Sequence, residues 1–188
     1  MSPGHYLVID LEATCCDRGT IEREESEIIE IGAVMVDTGT LAVVDEFSTF
    51  VRPVHHPALT EFCTNLTSIR QEDVDQAPEL REAFRKLVAW AEQYADHLFC
   101  SWGNYDRNQI GRECRNKRID RPFSAGHWNL KQKFSERLGT GNRFGMAAAL
   151  QELNLELRGT HHRGIDDARN IARLLPFILG DGESETTD

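Results

Sequence analysis

The spacing of apolar and polar positions predicts three strands near the start of the chain, over residues 6–12, 28–36 and 41–51. The run Asp37-Thr38-Gly39-Thr40 separates the second strand from the third and is typical of a hairpin turn. Because short connections join antiparallel neighbours, these segments indicate an antiparallel three-strand meander.

Helical spacing of apolar residues begins after Pro78, where residues 79–95 place Leu80, Phe84 and Leu87 on one face of a long helix. A short apolar strand is then predicted at 97–101. Further helices are predicted at 58–66, 70–75, 105–117, 129–138, 144–153 and 166–179, with a loop at 118–127. A meander followed by alternating helices and strands predicts an α/β fold with a mixed sheet flanked by helices.

Length and composition fit one folded domain over residues 1–179, followed by a disordered acidic tail at 180–188. The chain has 188 residues, of which 40% are hydrophobic and 28% charged, with no apolar stretch of membrane-spanning length and no signal peptide pattern. Its five cysteines are odd in number and include no CxxC pair, which argues against a disulfide framework or a zinc site. We therefore expect a cytoplasmic protein with reduced thiols.

The net charge of −10 is distributed unevenly along the chain. Residues 107–173 contain 14 Lys and Arg against 7 Asp and Glu, whereas residues 1–106 contain 7 against 20. A locally basic surface that attracts nucleic acid is compatible with this pattern. Ordinary solvated helix faces would give the same composition.

Two carboxylates, Asp10 and Glu12, interrupt the first apolar strand at positions i and i+2. Residues two apart in a strand project from the same face, so both side chains would stand together. Buried carboxylates side by side are costly unless a cation neutralises them, and the pair therefore points to a metal. The alternative is that the strand ends near Ile9 and both residues are solvated loop positions.

Further acidic residues occur where later elements begin. Asp106 follows the predicted strand at 97–101, and Asp167 lies in the first turn of the last helix, five residues after His162. An acid in either position can serve simply as a helix cap.

Together, Asp10, Glu12, Asp106, Asp167 and His162 resemble the motifs of the DEDDh family of 3′-to-5′ exonucleases, which have a ribonuclease H-like fold. The motifs occur in the family order: Asp-x-Glu, a lone Asp, then His-x-Gly-x-x-Asp-Ala. The resemblance spans nearly all of residues 5–179. Three segments are similar to the branch that trims 3′ ends of histone mRNA and small interfering RNA: 47–53, 62–69 and 164–172.

The resemblance implies that the four carboxylates hold two Mg²⁺ or Mn²⁺ ions, with Asp10 bridging both. Glu12 and Asp167 would bind the ion that carries the nucleophilic water, and Asp106 would act mainly through water. His162 would serve as the general base. His161 and Asp166 have the same five-residue spacing, but Gly164 and Ala168 fit the family pattern better with His162 and Asp167.

The expected substrate is single-stranded nucleic acid with a free 3′ end, with RNA favoured and DNA as a second substrate, and the products are 5′ nucleoside monophosphates. Tyr105 and Phe62 are candidates for stacking on the terminal bases, and Leu11 and Thr14 for contacts to the terminal ribose. Packing in the core is the alternative for either aromatic residue. Two other functions stay open: an oligoribonuclease or proofreading type of exonuclease, and a noncatalytic binding module on the same fold.

Overall fold

A computed structural model describes residues 3–94, 96–123 and 126–180. The five strands are β1 (His5–Ala13), β2 (Ile28–Asp37), β3 (Val43–Phe50), β4 (His97–Ser101) and β5 (His127–Asn129). The helices are α1 (Glu61–Thr67), α2 (Gln71–Asp75), α3 (Leu80–Ala91), α4 (Tyr105–Lys117), α5 (Leu130–Arg137), α6 (Met146–Glu152), α7 (Gly164–Ala172) and α8 (Leu175–Leu179).

The strands form one mixed sheet in the order β3-β2-β1-β4-β5. Antiparallel pairing joins β1 to β2 and β2 to β3, as the predicted meander requires. Pairing is parallel between β1 and β4 and between β4 and β5. The carboxyl ends of β1, β4 and β5 therefore meet at one edge of the sheet, where the chain enters loops and helices.

Helices cover both faces of the sheet, which explains why β1 is almost continuously apolar. Leu7 and Ile9 point into a cluster with residues of α3 and α4, whereas Tyr6 and Val8 pack against α5 to α8 on the opposite face. The alternation that separates these two sets also places Asp10 and Glu12 on the Val8 side. At this end of β1 the covering element is α7, which contacts β1 and β2.

The single helix predicted at 166–179 is wrong. The structure has two helices there, because α7 ends at Ala172 and α8 begins at Leu175. Pro176 lies in the first turn of α8, where its missing N–H needs no partner inside the helix, whereas in a continuous helix it would break a hydrogen bond. The prediction also did not include β5, because three residues are too few to show the alternation of apolar and polar positions that identifies a strand.

The predicted tail falls mostly outside the described residues, which end at 180. The single domain over 1–179 stays a prediction. All five cysteines are free thiols, as expected. In the part of the chain that the structure describes, none of the helices has the length and apolar character needed to cross a membrane.

Candidate active site

Three carboxylates converge at the carboxyl end of β1. Oxygen atoms of Asp10, Glu12 and Asp167 all lie within 4.8 Å of one another. Glu12 and Asp167 are buried, with 8% and 4% of their surface exposed. The strand continues to Ala13, so the alternative in which Asp10 and Glu12 are loop residues is wrong.

Asp106 joins this group from the first turn of α4 and is also buried. Its Oδ1 accepts a hydrogen bond of 3.2 Å from the backbone N–H of Leu11, which lies between Asp10 and Glu12 in β1. The parallel pairing of β1 and β4 brings the two segments together, because α4 begins just after β4 ends. The structure therefore brings all four predicted carboxylates to one place.

Burial and mutual repulsion make the ionised forms of these groups unfavourable. Burial is the main cause that raises the pKa of Asp10 well above its usual value, and the charges of Asp106 and Glu12 add to it. Burial and the Asp167 charge raise the pKa of Glu12 to about 8. For Asp106, burial raises the pKa to about 7 despite hydrogen bonds that favour the carboxylate.

This cluster fits a divalent cation. Among the described residues, no lysine or arginine forms an ion pair with any of the four carboxylates, and the one basic side chain in contact with them is His161, beside Asp167. Carboxylate oxygens are the ligands that Mg²⁺ and Mn²⁺ prefer in proteins. The acidic residues at this site can therefore bind metal.

Glu30 is a fifth carboxylate at the site, fully buried, and it is not among the residues predicted from the sequence. It lies opposite Glu12 in the β1–β2 register. Its oxygens accept hydrogen bonds from Arg163 Nε at 3.0 Å, Arg163 Nη2 at 3.1 Å and the Gly164 N–H at 3.0 Å. The one signal in the sequence is a charge within the apolar run 28–31. These hydrogen bonds from Arg163 and Gly164 to Glu30 therefore hold the start of α7 against the sheet.

Asp167 and Asp166 point in different directions from the first turn of α7. Asp166 accepts a hydrogen bond from the Thr160 N–H and forms an ion pair with Arg169. Asp167 instead faces Asp10 and Glu12. Of the two aspartates that the motif spacing allows, the geometry therefore favours Asp167 as the site residue.

Both histidines of the loop lie beside Asp167. His161 Nδ1 is 3.0 Å from Asp167 Oδ2, and the His162 backbone N–H donates to the same oxygen at 3.0 Å. The two imidazole rings stack with their centroids 4.0 Å apart. Burial and the neighbouring His161 lower the pKa of His162, which favours its neutral form. The geometry thus leaves both histidines as candidates for a base.

The four predicted substrate-binding residues fall into two groups. Phe62 and Tyr105 are 40% and 38% exposed, so neither is a core residue. Leu11 and Thr14 are buried. The backbone N–H of Leu11 is used by Asp106, and the Thr14 hydroxyl accepts a hydrogen bond from the Glu27 N–H. Only the two aromatic side chains offer open surface.

Comparison with known proteins identifies relatives of this chain. It is 30% identical over 200 residues to ERI1 exoribonuclease 2 of Xenopus laevis, covering 95% of this chain and 29% of the relative. It is 32% identical over 186 residues to 3′-5′ exoribonuclease 1 of Mus musculus, covering 95% and 54%. The chain therefore spans between about a third and about half of the length of these relatives.

Solved structures agree with this relationship. The nuclease domain of 3′hExo, described as a DEDDh family member and bound to rAMP, has a TM-score of 0.88 and 28% identity, covering 96% of this chain and 94% of that one. A 3′-exonuclease recognising the histone mRNA stem-loop also has a TM-score of 0.88, with 27% identity, covering 96% and 65%. These matches confirm the predicted ribonuclease H-like fold and the resemblance to the histone-mRNA branch. Residues 7–175 match the family model RNase_T, described as exonuclease, so the chain belongs to this exonuclease family.

Proposed function

We propose that this chain is a metal-dependent 3′-to-5′ exonuclease that releases 5′ nucleoside monophosphates from single-stranded RNA. The observation that carries the proposal is the convergence of Asp10, Glu12 and Asp167 within 4.8 Å, on the fold of an exonuclease family. Asp106 completes a set of four carboxylates in the order that the DEDDh motifs require. None of the four is replaced, which argues against a noncatalytic module.

The carboxylates of Asp10, Glu12, Asp106 and Asp167 would hold two Mg²⁺ or Mn²⁺ ions. Bound there, the ions would supply an activated water and stabilise the charge on the leaving 3′ oxygen. The protein provides a buried, oxygen-rich site in which electrostatic interactions are stronger than in water. It also fixes the carboxylates before substrate binds, through the hydrogen bond from Leu11 to Asp106 and the packing of α7 on β2.

His162 is the proposed general base. Its lowered pKa keeps the imidazole neutral near pH 7, the form that can accept a proton from water. His161 contacts Asp167 through Nδ1 and would orient that carboxylate. The reverse assignment, with His161 as base, is the alternative that the stacked rings leave open.

The exposed aromatic side chains support a single-stranded substrate. Phe62 on α1 and Tyr105 at the start of α4 offer faces on which unpaired bases stack. The ribose contacts predicted for Leu11 and Thr14 have less support, because both side chains are buried and the Leu11 N–H and the Thr14 hydroxyl already form hydrogen bonds within the protein. RNA is the favoured substrate because relatives of this chain carry the name exoribonuclease.

Single-stranded RNA labelled at its 3′ terminal nucleotide tests the proposal. We expect release of the labelled mononucleotide with Mg²⁺ or Mn²⁺ and none with EDTA. Asp10→Ala should abolish release, whereas Glu152→Ala, which changes an exposed glutamate of α6, should not. Release that persists in Asp10→Ala would refute the proposed site, and matched DNA oligonucleotides measure the preference for RNA.

The two histidines need separate variants. We expect His162→Ala to reduce kcat by about two to four orders of magnitude, as is typical of the loss of a general base. His161→Ala should have a smaller effect. If the sizes of these effects are reversed, His161 is the base. The cytoplasmic location expected from the sequence stays a prediction.

A further inference from the structure

The arginines of this chain differ in whether a carboxylate lies close to the guanidinium group. Arg52, Arg70 and Arg85 each form an ion pair with a nearby glutamate. Arg107, Arg115 and Arg121 are all exposed, and none of them has a carboxylate within 4.0 Å among the described residues. The positively charged segment 107–173 therefore includes three exposed guanidinium groups that no nearby carboxylate in the described part of the chain neutralises.

These three arginines surround one pocket on the side of α4. The pocket has a volume of about 340 Å³ and is lined by Arg107, Asn108, Gly111, Arg115 and Arg121. Every charged side chain in the lining is positive. Residues 107, 111 and 115 are four apart, so they follow one another along the same side of the helix. Arg121 reaches back from the segment after α4.

Gly111 forms the floor of the pocket. A Cβ atom at this position would lie 2.9 Å from Arg121 Nη2 and 3.5 Å from Arg115 Nη1. Glycine inside a helix is unfavourable compared with alanine, and Gly111 lies in the middle of the 13-residue α4. The absence of a side chain at Gly111 leaves space for the guanidinium groups of Arg115 and Arg121 to lie close to the helix backbone.

The pocket is distinct from the carboxylate cluster although both belong to α4. Arg115 is nine residues from Asp106, which at about 100° per residue places them on opposite sides of the helix. Gly111 is about 7.5 Å from Asp106 along the helix axis, from the rise of about 1.5 Å per residue. A stacked strand carries one phosphate every ~3.4 Å of axis. Because the pocket also lies across the helix, which is about 10–12 Å wide with its side chains, the path between the two sites is at least about 12 Å. A strand whose 3′ end lies at the carboxylates would thus reach the pocket about four or more nucleotides upstream.

We propose that this pocket binds a backbone phosphate of the nucleic acid substrate, upstream of the bond to be cleaved. Guanidinium groups pair with phosphate oxygens through two parallel hydrogen bonds, and the three positive charges exceed the single negative charge of one phosphodiester. Arg107 at the near end of the pocket would meet the strand first, and Arg115 and Arg121 would hold it. The inference rests on the proposed function for the direction of the strand.

Binding measurements separate this site from catalysis. The background is Asp10→Asn, so that RNA is not shortened, and the ligands are a 12-nucleotide single-stranded RNA and a dinucleotide too short to reach the pocket. We expect Arg115→Gln combined with Arg121→Gln to weaken binding of the 12-mer about tenfold at low salt. The slope of log Kd against log salt should also fall by about 0.7 for each phosphate that the variant no longer binds. Affinity for the dinucleotide should stay the same.

Two further variants control for charge and folding. Arg52→Gln combined with Arg85→Gln removes the same two charges from arginines that are paired with Glu79 and Glu82, and should not change the affinity. Gly111→Ala should raise the melting temperature through better helix propensity and yet weaken binding of the 12-mer, because the Cβ displaces Arg121. A stabilised protein that binds more weakly cannot be explained by misfolding.

A 12-mer in which the upstream phosphates are replaced by neutral methylphosphonate linkages tests whether the pocket binds a backbone phosphate of the RNA. The double arginine variant should bind this oligomer about as tightly as the Asp10→Asn background does, whereas it should bind ordinary RNA more weakly than the background. Unchanged affinity of the 12-mer in the double variant overturns the proposal. So does weaker binding of inorganic phosphate alone with RNA unaffected, which would make the pocket a site for a small anion. These readouts need no cleavage, so a failure of the proposed activity is seen separately.

Discussion

The backbone of Gly164 lies directly against Gly32, so closely that a Cβ atom on Gly32 would overlap the Gly164 carbonyl group. Gly164 is the first residue of α7, and Gly32 lies in the middle of β2. The contact sets the height of α7 above the sheet. It therefore sets the position of Asp167, one turn further along the helix.

Gly32→Ala should displace the start of α7. We expect a loss of about 3 kcal/mol in the free energy of unfolding, as for overpacking in a core. Activity should fall by about 100-fold, because small misplacements of catalytic groups have effects of this size. Denaturant unfolding and kcat measure the two effects. Gly141→Ala is the control, since no atom lies within 4 Å of its Cβ position; equal effects of the two changes would refute the explanation.

Asp10→Asn should inactivate the protein and also stabilise its metal-free form. The neutral amide removes the repulsion between Asp10 and its neighbours, which we expect to be worth about 1–2 kcal/mol, as for other substitutions that relieve strain at functional sites. Mg²⁺ or Mn²⁺ at about 100 times its Kd should stabilise the wild type by about 2.7 kcal/mol and the variant much less. Thermal unfolding with and without metal checks both statements. Equal metal stabilisation of the two proteins would place the metal elsewhere.

Arg163→Met should be strongly destabilising, because it leaves the buried Glu30 without its partner. Removing one member of a buried ion pair costs about 3–5 kcal/mol. Adding Glu30→Gln to the same protein should recover part of the loss. Urea unfolding of the two single variants and the double variant gives the coupling energy. A double variant less stable than both single variants would contradict the role of Arg163 as the partner of Glu30.

Phe62→Ala should weaken substrate binding with little effect on stability, since the ring is 40% exposed. Loss of one stacked base costs about 1–3 kcal/mol of binding energy. Tyr105→Ala should behave in the same way, and Tyr105→Phe should retain binding because the ring remains. Fluorescence titration with an RNA oligomer measures the affinity. Val44→Ala, an exposed apolar residue of β3, should leave the affinity unchanged.

Glu27 should make stability depend on pH in the acid range. Burial would raise its pKa, but the Lys117 ammonium and the N–H groups of Val54 and His56 outweigh burial and hold the pKa below its usual value. A lowered folded-state pKa gives stability above the pKa of an unfolded glutamate, about 4.3, and this stability is lost as the pH falls through the folded-state pKa.

We therefore expect Glu27→Gln to cost about 3 kcal/mol at about pH 7 and progressively less below about pH 4. Denaturant unfolding across this acid-to-neutral range measures the difference from the wild type. Glu22→Gln changes an exposed glutamate of the same loop and should show no such dependence. A cost that is constant with pH would mean that the charge of Glu27 is not involved.

The sequence was enough to predict that Asp10 and Glu12 lie side by side, because residues two apart in a strand always project from the same face. Asp106 and Asp167 could be assigned to the site from the order of the motifs. The amino-acid sequence alone does not show how close their carboxylates lie to Asp10 and Glu12. The structure adds the α7 geometry that separates Asp167 from Asp166. Both His161 and His162 stay candidates for the base, because a ring nitrogen of each lies within 4.8 Å of an Asp167 carboxylate oxygen.

Contacts between distant segments explain what could not be predicted. Glu30 and Arg163 are 133 residues apart, and nothing local in either segment indicates the other. The break between α7 and α8 depends on a single proline in a stretch that is otherwise apolar and helical in pattern. The arginine pocket depends on Arg121 folding back over Gly111, which requires the turn after α4 to be known.

The pairing of β1 with β2 places Glu30 opposite Glu12, and this register has a consequence for the charge of the whole site. Asp10, Glu12, Glu30, Asp106 and Asp167 carry five negative charges when ionised, and Arg163 contributes one positive charge. The remaining four negative charges would equal the charge of the two divalent cations proposed for this site. Two monovalent ions in their place would leave the site half neutralised, so we expect the sheet register to favour divalent over monovalent ions.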